Sequence, residues 1–213
     1  MGLDLLKSTS SSVLSDALEH CGVHGQCRGL FPSAPGQRLF GRAYTVRVSP
    51  FHPGALAHDE YMEDLQPGEV CVLDARGVEG AVWGDLRSHV AQRIGVAGAV
   101  ADGPVRDGDA CAAMGFPVFA RSRTPLSGNR RAWIEAKAVP VVVGGVFVAP
   151  GDLIFGDGDG VIVIPSTREE EVLARAEDLE AADQKMVAAL KDGVTLAEAR
   201  RRFGVKSILP SKT

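Results

Sequence analysis

The sequence predicts a mixed α/β protein with a single compact domain over residues 1–213, and three observations carry this prediction. β-rich apolar runs alternate with segments of helical periodicity through the first 120 residues. Two glycine-rich hairpin signals and a long charged helix follow after about residue 138. No internal repeat, low-complexity segment or linker separates these parts, which favours one domain of a size that buries a sizeable core.

The first half of the chain is predicted to alternate helices with strands. Serines at 10–12 are good helix N-caps before an apolar stripe that ends near Gly22. Helical spacing with glycine or proline stops marks the other helices, and β-branched runs mark the strands. In chain order the prediction is helix 10–22, strand 44–48, helix 56–65, strand 69–74, helix 85–94 closed by Gly95, strand 96–101, helix 109–114 and strand 116–120.

The second half is predicted to contain two hairpins and one long helix. Gly144 and Gly145 separate two valine-rich runs as a two-residue turn that tolerates positive φ, and residues 156–160 form a second turn. Ser166 and Glu169 have the spacing of a capping box at the start of the helix. Its buried stripe is predicted to include Val172, Leu173, Ala176, Leu179, Ala182, Met186 and Leu190, with Gly193 ending the helix before a polar tail.

Composition excludes several classes of function. The formal net charge of −4 gives no long-range attraction to nucleic acid. The longest apolar stretch, residues 138–150, is interrupted by Pro140 and is too short to span a bilayer. The amino terminus lacks the pattern of a secretory signal, and four scattered cysteines are typical of reduced thiols. We therefore expect a cytoplasmic protein with a small-molecule ligand, without a nucleic-acid or membrane partner.

The most distinctive residues are 102–107, DGPVRD, together with Asp85 in the segment WGDL at 83–86. The apolar run 96–101 predicts a buried strand, and the Gly-Pro pair after it predicts a turn that ends in Arg106 beside Asp107. Open α/β sheets bind ligands just beyond the carboxyl ends of their strands. A guanidinium and a carboxylate held at that position suit a metal-bound, anionic substrate, which points to an enzyme.

Several motifs occur in an order that resembles a known family. They are SDAL at 15–18, GRAYTV at 41–46, QPGEV at 66–70, WGDL at 83–86, DGPVRD at 102–107, GFPVFA at 115–120, and GD at 151–152 with DGV at 159–161. The chain resembles the 4-hydroxy-4-methyl-2-oxoglutarate (or 4-carboxy-4-hydroxy-2-oxoadipate) aldolases, which are related to the regulator of ribonuclease activity A. The resemblance runs from about residue 10 to 195, and its most specific part is Asp85 followed, after twenty residues, by Arg106-Asp107.

The resemblance implies a fold, an activity and an assembly. The implied fold has a swivelling β/β/α core, and the implied assembly is a homotrimer or homohexamer with active sites between subunits. The implied activity is that of a class II aldolase that needs Mg²⁺ or Mn²⁺. Such a lyase cleaves 4-hydroxy-4-substituted 2-oxo diacids to pyruvate and a second 2-oxo acid, and it decarboxylates oxaloacetate as a side activity through the same pyruvate enolate.

The resemblance also implies roles for individual residues. Asp107 is the implied metal ligand, Arg106 the catalytic donor to the enolate oxygen, and Asp85 the residue that holds the proton-shuttling water. The implied substrate-binding residues are Gly84, Leu86, Arg87 and Arg106, with the amides of Leu86 and Arg87 at a helix amino end receiving the substrate carboxylate.

Three further points concern residues where the chain departs from the family or extends its site. Arg87 stands where the family commonly has an apolar residue, so its side chain is a candidate to bind a second carboxylate. Arg121 and Arg123 are further candidates for that role. The acidic residue that a neighbouring subunit provides in the family is assigned to Asp183, with Glu180 as the second choice.

Other readings of the sequence stay open or are set aside. The alternative function is a non-catalytic regulator that binds and inhibits a ribonuclease, and the retention of Asp85 and Asp107 argues against it. The cysteines and histidines at 20–27 lack the spacing of a zinc site, and the series DGDG at 157–160 fits a hairpin turn better than a calcium loop. His58, Asp59 and His89 are interpreted as bystanders.

Overall fold

The computed structural model describes residues 2–52 and 60–204, and their contacts divide the chain into two compact units. The smaller unit comprises Met1–His24 and Thr167–Thr213, and the larger unit comprises Gly25–Ser166. The prediction of one domain over residues 1–213 stays a prediction. The helices, in chain order, are α1 (Gly2–Leu5), α2 (Ser11–His20), α3 (Asp85–Ile94), α4 (Gly108–Ala113), α5 (Glu169–Lys191) and α6 (Leu196–Phe203).

The strands found among the described residues all lie in the larger unit. They are β1 (Phe31–Pro32), β2 (Leu39–Pro50), β3 (Glu69–Asp74), β4 (Gly98–Val105), β5 (Val118–Arg123), β6 (Ala132–Lys137), β7 (Val141–Val143), β8 (Val146–Val148), β9 (Leu153–Asp157) and β10 (Gly160–Ile164). Short 3-10 helices occupy Met62–Asp64 and Ser166–Arg168.

One sheet organises the described part of the larger unit. Its order is β1-β5-β4-β3-β2-β9-β10, with β6 paired to β2, while β7 and β8 form a separate hairpin. Strands β2, β3, β4 and β5 are parallel neighbours, and the β2–β9, β9–β10, β1–β5 and β2–β6 pairs are antiparallel. The parallel strands therefore end at one edge of the sheet, where open α/β sheets place their ligands.

The sheet is buried on both faces and strongly curved. Successive residues of β3 alternate between two core clusters, Cys71 in one and Val72 in the other, which explains why the strand is a continuous apolar run. Gly156 of β9 faces the ring of Phe119 on β5, although three strands separate β5 from β9 in the order, and a Cβ at Gly156 would lie 3.0 Å from that ring. The sheet is therefore nearly closed and barrel-like.

Two helices form the core of the smaller unit. The Ser10 hydroxyl accepts a hydrogen bond from the Val13 amide at 3.3 Å, so the predicted serine cap of α2 is confirmed. Helices α2 and α5 pack together through their apolar faces. The buried residues of these faces are Val13, Leu14, Ala17 and Leu18 on α2 and Val172, Leu173, Ala176 and Leu179 on α5. In the described residues, no helix has both the length and the apolar character needed to cross a membrane.

Most predicted elements of the larger unit are confirmed. Strand 69–74 and helix 85–94 have the predicted bounds, and Gly95 ends the helix with a φ of 91°. Gly144 and Gly145 form the predicted turn, with φ values of 56° and 83°. The predicted helix at 56–65 lies partly outside the described residues, and its described end contains only the 3-10 helix Met62–Asp64.

The structure differs from the prediction in five details. Asp102, Gly103 and Pro104 do not form a turn, because β4 continues through them to Val105 with an irregular register against β5. Strand β6 and helix α6 were not predicted. Residues 166–168 form a 3-10 helix and α5 has no side-chain cap, so the capping box is absent. The buried stripe of α5 ends at Leu179, and Leu190 is exposed.

Candidate functional site

Backbone pairing brings the two distant sequence motifs together. The segment before α3 runs parallel to the end of β4, with Trp83 bridged to Val105. The amide of Arg106 donates to the Trp83 carbonyl at 3.0 Å, and the amide of Val82 donates to the Pro104 carbonyl at 2.9 Å. Because these bonds align the ends of the two segments, Asp85 at the start of α3 lies beside Asp107.

Asp107 is the central residue of this arrangement. Its Oδ2 lies 3.1 Å from Arg106 Nε and 3.5 Å from the backbone nitrogen of Asp85. Its backbone is left-handed, with φ 56° and ψ 34°, and it occupies the N-cap position of α4 without a side-chain capping hydrogen bond. This conformation is uncommon for residues other than glycine, although aspartate adopts it more often than most. Residues held in it are concentrated at functional sites.

Gly84 is required by the closeness of the two motifs. A Cβ at position 84 would lie 2.7 Å from Asp107 Oδ2 and 3.3 Å from Arg106 Cγ. Any side chain there would displace the carboxylate. Gly84 therefore contributes to the site through its lack of a side chain.

A cavity of about 460 Å³ opens over these residues. Its described lining has a charged part, formed by Glu60, Asp85, Arg87, Arg106 and Asp107, and a largely apolar wall, which includes Val48, Ala81, Val82, Trp83, Ala132 and Ile134. The three carboxylates and two guanidiniums leave a formal excess of one negative charge. A cavity with this charge can hold a cation, and a divalent cation would reverse the excess and favour an anionic ligand.

The carboxylates set limits on any metal site. Among the described residues, no group of three or more histidine, cysteine, aspartate or glutamate side chains is placed to hold a metal ion. Mg²⁺ is commonly held by one or two carboxylates and completes its shell with water and substrate oxygens. Asp107 and Asp85, both partly exposed to the same cavity, fit this kind of site.

The predicted substrate-binding residues are found at the cavity with one difference. Gly84, Leu86, Arg87 and Arg106 all line it. The Leu86 amide, however, donates to Asp85 Oδ1 at 2.7 Å, so a substrate carboxylate would have to replace this bond. The side chain of Leu86 is exposed.

The other predicted candidates among the described residues do not line this cavity. Arg121 pairs with the buried Asp102, and Arg123 donates to the Ser33 carbonyl, so neither lines the cavity that holds Arg106. Their proposed contact with a second carboxylate of the substrate stays a prediction. Asp183 lies on α5 in the smaller unit, where burial, together with the carboxylates of Asp16 and Glu180, raises its pKa. Its role stays a prediction, and His58 and Asp59 lie outside the described residues.

Two residues near the site were not identified from the sequence. Glu60 lines the cavity, and a lone glutamate outside any motif gave no signal. Ser88 is fully buried, and its hydroxyl accepts from Trp83 Nε1 at 2.8 Å and contacts the Gly84 carbonyl at 3.0 Å. Ser88 Oγ also lies 3.3 Å from Cys111 Sγ on α4. One hydroxyl thus connects the two helices that follow Gly84 and Asp107, and no motif in the sequence indicated it.

We expect Ser88→Ala to destabilise the protein measurably. The change leaves the buried Trp83 Nε1 without its acceptor, which costs about 1–3 kcal/mol. Urea unfolding followed by tryptophan fluorescence measures this loss. The exposed Ser122 on β5 provides the control, since Ser122→Ala should change the free energy of unfolding by less than about 0.5 kcal/mol. Equal effects of the two substitutions would contradict the structural role of the Ser88 hydroxyl.

The fold and this site place the chain among mixed α/β proteins with a ligand cavity at the edge of a curved sheet. The family model described as RraA-like, Aldolase/RraA, matches residues 11–163. The chain belongs to this Aldolase/RraA family.

Two relatives illustrate the range of the family. A Halalkalibacterium halodurans protein that carries the name "Putative 4-hydroxy-4-methyl-2-oxoglutarate aldolase" is 36% identical over 206 residues, covering 96% of this chain and 94% of the relative. Protein DlpA of Legionella pneumophila is 32% identical over 209 residues, covering 94% of this chain. This chain spans 33% of the length of DlpA.

Solved structures share the fold. An uncharacterized protein from Pseudomonas syringae superposes with a TM-score of 0.84 at 33% identity, covering 93% of this chain and 96% of the other. RraAS2 of Streptomyces coelicolor, described as an unusual member of the RNase ES inhibitor RraA protein family, gives a TM-score of 0.77 at 29% identity, covering 84% of this chain and 92% of the other. The mixed α/β fold with a long helix near the carboxyl end is therefore that of RraA proteins.

Proposed function

We propose that this protein is a divalent-metal-dependent lyase that cleaves 4-hydroxy-4-substituted 2-oxo diacids to pyruvate and a second 2-oxo acid. The observation that carries the proposal is the meeting of Asp85, Arg106 and Asp107 in one cavity, with Arg106 Nε and the Asp85 backbone nitrogen both within 3.5 Å of Asp107 Oδ2. The aldolase names of relatives such as the Halalkalibacterium halodurans protein support the same class of reaction.

Asp107 is the residue proposed to hold Mg²⁺ or Mn²⁺ directly. Asp85 is proposed to contact the cation through a water molecule. Both carboxylates face the cavity, and the excess negative charge of its lining favours a cation there. When bound, such a cation supplies Lewis-acid polarisation of the 2-oxo group. The neighbouring Arg106 keeps the Asp107 carboxylate oriented through the 3.1 Å contact between Nε and Oδ2.

The chain's own residues perform the remaining steps. Asp85 accepts the proton of the substrate 4-hydroxyl through a water molecule, and the C3–C4 bond breaks as the hydroxyl becomes the carbonyl of the departing 2-oxo acid. The bond electrons form the enolate of pyruvate, whose oxygen accepts a hydrogen bond from Arg106. The proton then returns from Asp85, through water, to C3 of the enolate and yields pyruvate.

Decarboxylation of oxaloacetate is a proposed side activity of the same cavity. Loss of carbon dioxide from the 4-carboxylate leaves the same pyruvate enolate, so Arg106 stabilises the same charge in both reactions. No proton needs to be removed before this bond breaks. Asp85 is therefore needed only for the later protonation.

The assembly and location are part of the proposal. We propose a homotrimer or homohexamer located in the cytoplasm. Asp183 is the acidic residue that a neighbouring subunit would contribute.

Removal of divalent metal should abolish activity. In the proposed reaction the cation supplies the Lewis-acid polarisation of the 2-oxo group. Excess chelator should therefore stop pyruvate release from oxaloacetate, and added Mg²⁺ or Mn²⁺ should restore it. Pyruvate release coupled to lactate dehydrogenase measures both effects. The uncatalysed decarboxylation with each metal alone serves as the control. Full enzyme-dependent turnover in excess chelator would contradict the proposed chemistry.

The second candidate is a non-catalytic regulator that binds a ribonuclease. The likeness to RraAS2 favours it, because that protein is described as a member of an RNase inhibitor family. The two candidates separate in one comparison. A regulator should inhibit ribonuclease equally well with Asp107→Ala as with the native residue and should release no pyruvate.

A further inference from the structure

We infer that the Arg87 side chain is the specificity-determining group that binds the second carboxylate of the substrate, in exchange for Glu60. The inference rests on the proposed function, because it assigns a receptor within the same cavity to the distal end of a 2-oxo diacid.

Arg87 has a defined position in the cavity. It follows Asp85 by two residues on α3 and lines the cavity together with Arg106. Its Nη1 donates to the Val82 carbonyl at 2.7 Å, and its guanidinium lies over the ring of the buried Tyr61, 5.1 Å from the centroid. These two contacts orient the guanidinium plane before any ligand binds, so a carboxylate would meet a preorganised donor.

Glu60 is only loosely paired with this guanidinium. Its Oε2 lies 3.8 Å from Arg87 Nη2, which is longer than a hydrogen bond, and its side chain is 56% exposed. Its other oxygen, Oε1, accepts hydrogen bonds from the Tyr61 and Met62 amides at 3.0 and 3.3 Å. Glu60 can therefore keep its backbone bonds while a substrate carboxylate takes the position beside Nη2, and the loss of so loose and exposed an ion pair is small.

The rest of the described lining leaves Arg87 as the natural receptor. Arg106 is committed to Asp107 and to the reacting end of the substrate. Among the described residues that line the cavity, the remaining cation is Arg87, and the wall formed by Val48, Ala132 and Ile134 is apolar. A second carboxylate against that wall would be desolvated without a partner, which is unfavourable. A diacid therefore gains a charge-assisted hydrogen bond at Arg87 that a monoacid of the same length cannot make.

The test measures binding of two uncleavable 2-oxo acids of equal chain length. 2-Oxoglutarate carries the second carboxylate and 2-oxopentanoate does not, and neither has the 4-hydroxyl needed for cleavage. Calorimetry on the full chain with saturating Mg²⁺ should show tighter binding of 2-oxoglutarate. Arg87→Met should weaken the binding of 2-oxoglutarate by about tenfold or more, as expected for the loss of a charge-assisted hydrogen bond. The affinity for 2-oxopentanoate should stay within about twofold of the native value.

Three further variants sharpen this result. Glu60→Gln should tighten the binding of 2-oxoglutarate severalfold, because it removes the negative charge that competes with the substrate carboxylate for Arg87. Arg87→Lys keeps the charge but loses the planar fork, so it should retain an intermediate preference for the diacid. Arg93→Met removes an exposed arginine of the same helix that does not line the cavity and should change neither affinity.

The outcomes separate this inference from the proposed function. If Arg87→Met weakens both acids equally or neither, Arg87 is not the diacid receptor, even when the native protein cleaves diacids. If the native protein shows no lyase activity but Arg87→Met selectively weakens the binding of 2-oxoglutarate, the assignment of Arg87 as the receptor holds and the proposed lyase reaction is wrong. Unchanged affinity in Glu60→Gln would overturn the exchange with Glu60.

Discussion

Asp107→Ala is expected to abolish metal binding and pyruvate release together. In the proposed site, Asp107 is the direct protein ligand, and its Oδ2 is also the atom around which Arg106 and the Asp85 amide are arranged. Loss of this carboxylate removes the ligand and the partner of Arg106 in one change. Calorimetric titration with Mn²⁺ beside the coupled pyruvate assay measures both effects.

Asp85→Asn is the matched comparison because the substitution is nearly isosteric. The amide can still hydrogen-bond a water molecule but cannot accept a proton from it. Metal affinity should fall by no more than about 10–100-fold, the usual loss for a group outside the direct ligands, while turnover is lost. If Asp85→Asn stays active and Asp107→Ala still binds metal normally, the two assignments are wrong.

Arg106→Lys should reduce kcat by about a hundredfold or more, the magnitude associated with the loss of one oxyanion donor. Lysine keeps the positive charge but lacks the planar fork with which arginine can address Asp107 and the enolate oxygen together. Because the donor acts mainly on developing charge, KM should change less than kcat. Steady-state kinetics with oxaloacetate and Mg²⁺ measure both constants.

Arg93→Lys is the control for this substitution, since Arg93 is exposed on α3 and does not line the cavity. It should leave kcat unchanged. A kcat for Arg106→Lys within about threefold of the native value would show that the guanidinium does not contact the reacting oxygen, since a lost oxyanion donor has a far larger effect.

Local sequence signals were sufficient for elements whose periodicity and end signals agree. Strand 69–74 and helix 85–94 are flanked by Gly68 and Gly95, both with positive φ, so their bounds could be predicted. Strand β6 could not be predicted because AWIEAK has no clean alternation, and its pairing with the end of β2 provides its hydrogen bonds. The helix α6 was missed because its short, arginine-rich sequence has a single buried residue, Ala199.

The candidate site divides in the same way. The resemblance made Asp85, Arg106 and Asp107 candidates for the site, and the fold places all three around one cavity. The sequence alone did not indicate that the carboxylates of Asp102 and Asp107 differ in burial. In the structure Asp102 is fully buried and receives Arg121 and the Gly144 amide, whereas Asp107 is partly exposed. Burial depends on β4 continuing through Pro104, which local turn chemistry does not predict.

The sequence by itself determined the α/β class, the family and the residue types available for chemistry, because periodicity, turn residues and motif spacing are local properties of a chain. The tertiary structure alone decided that Arg121 is a structural partner of Asp102, that Glu60 and Arg87 face the same cavity as Arg106, and that Ser88 joins α3 to α4. These facts depend on which strand ends lie side by side and how far the sheet curves. Such contacts between distant segments arise from packing the whole chain, so no local pattern records them.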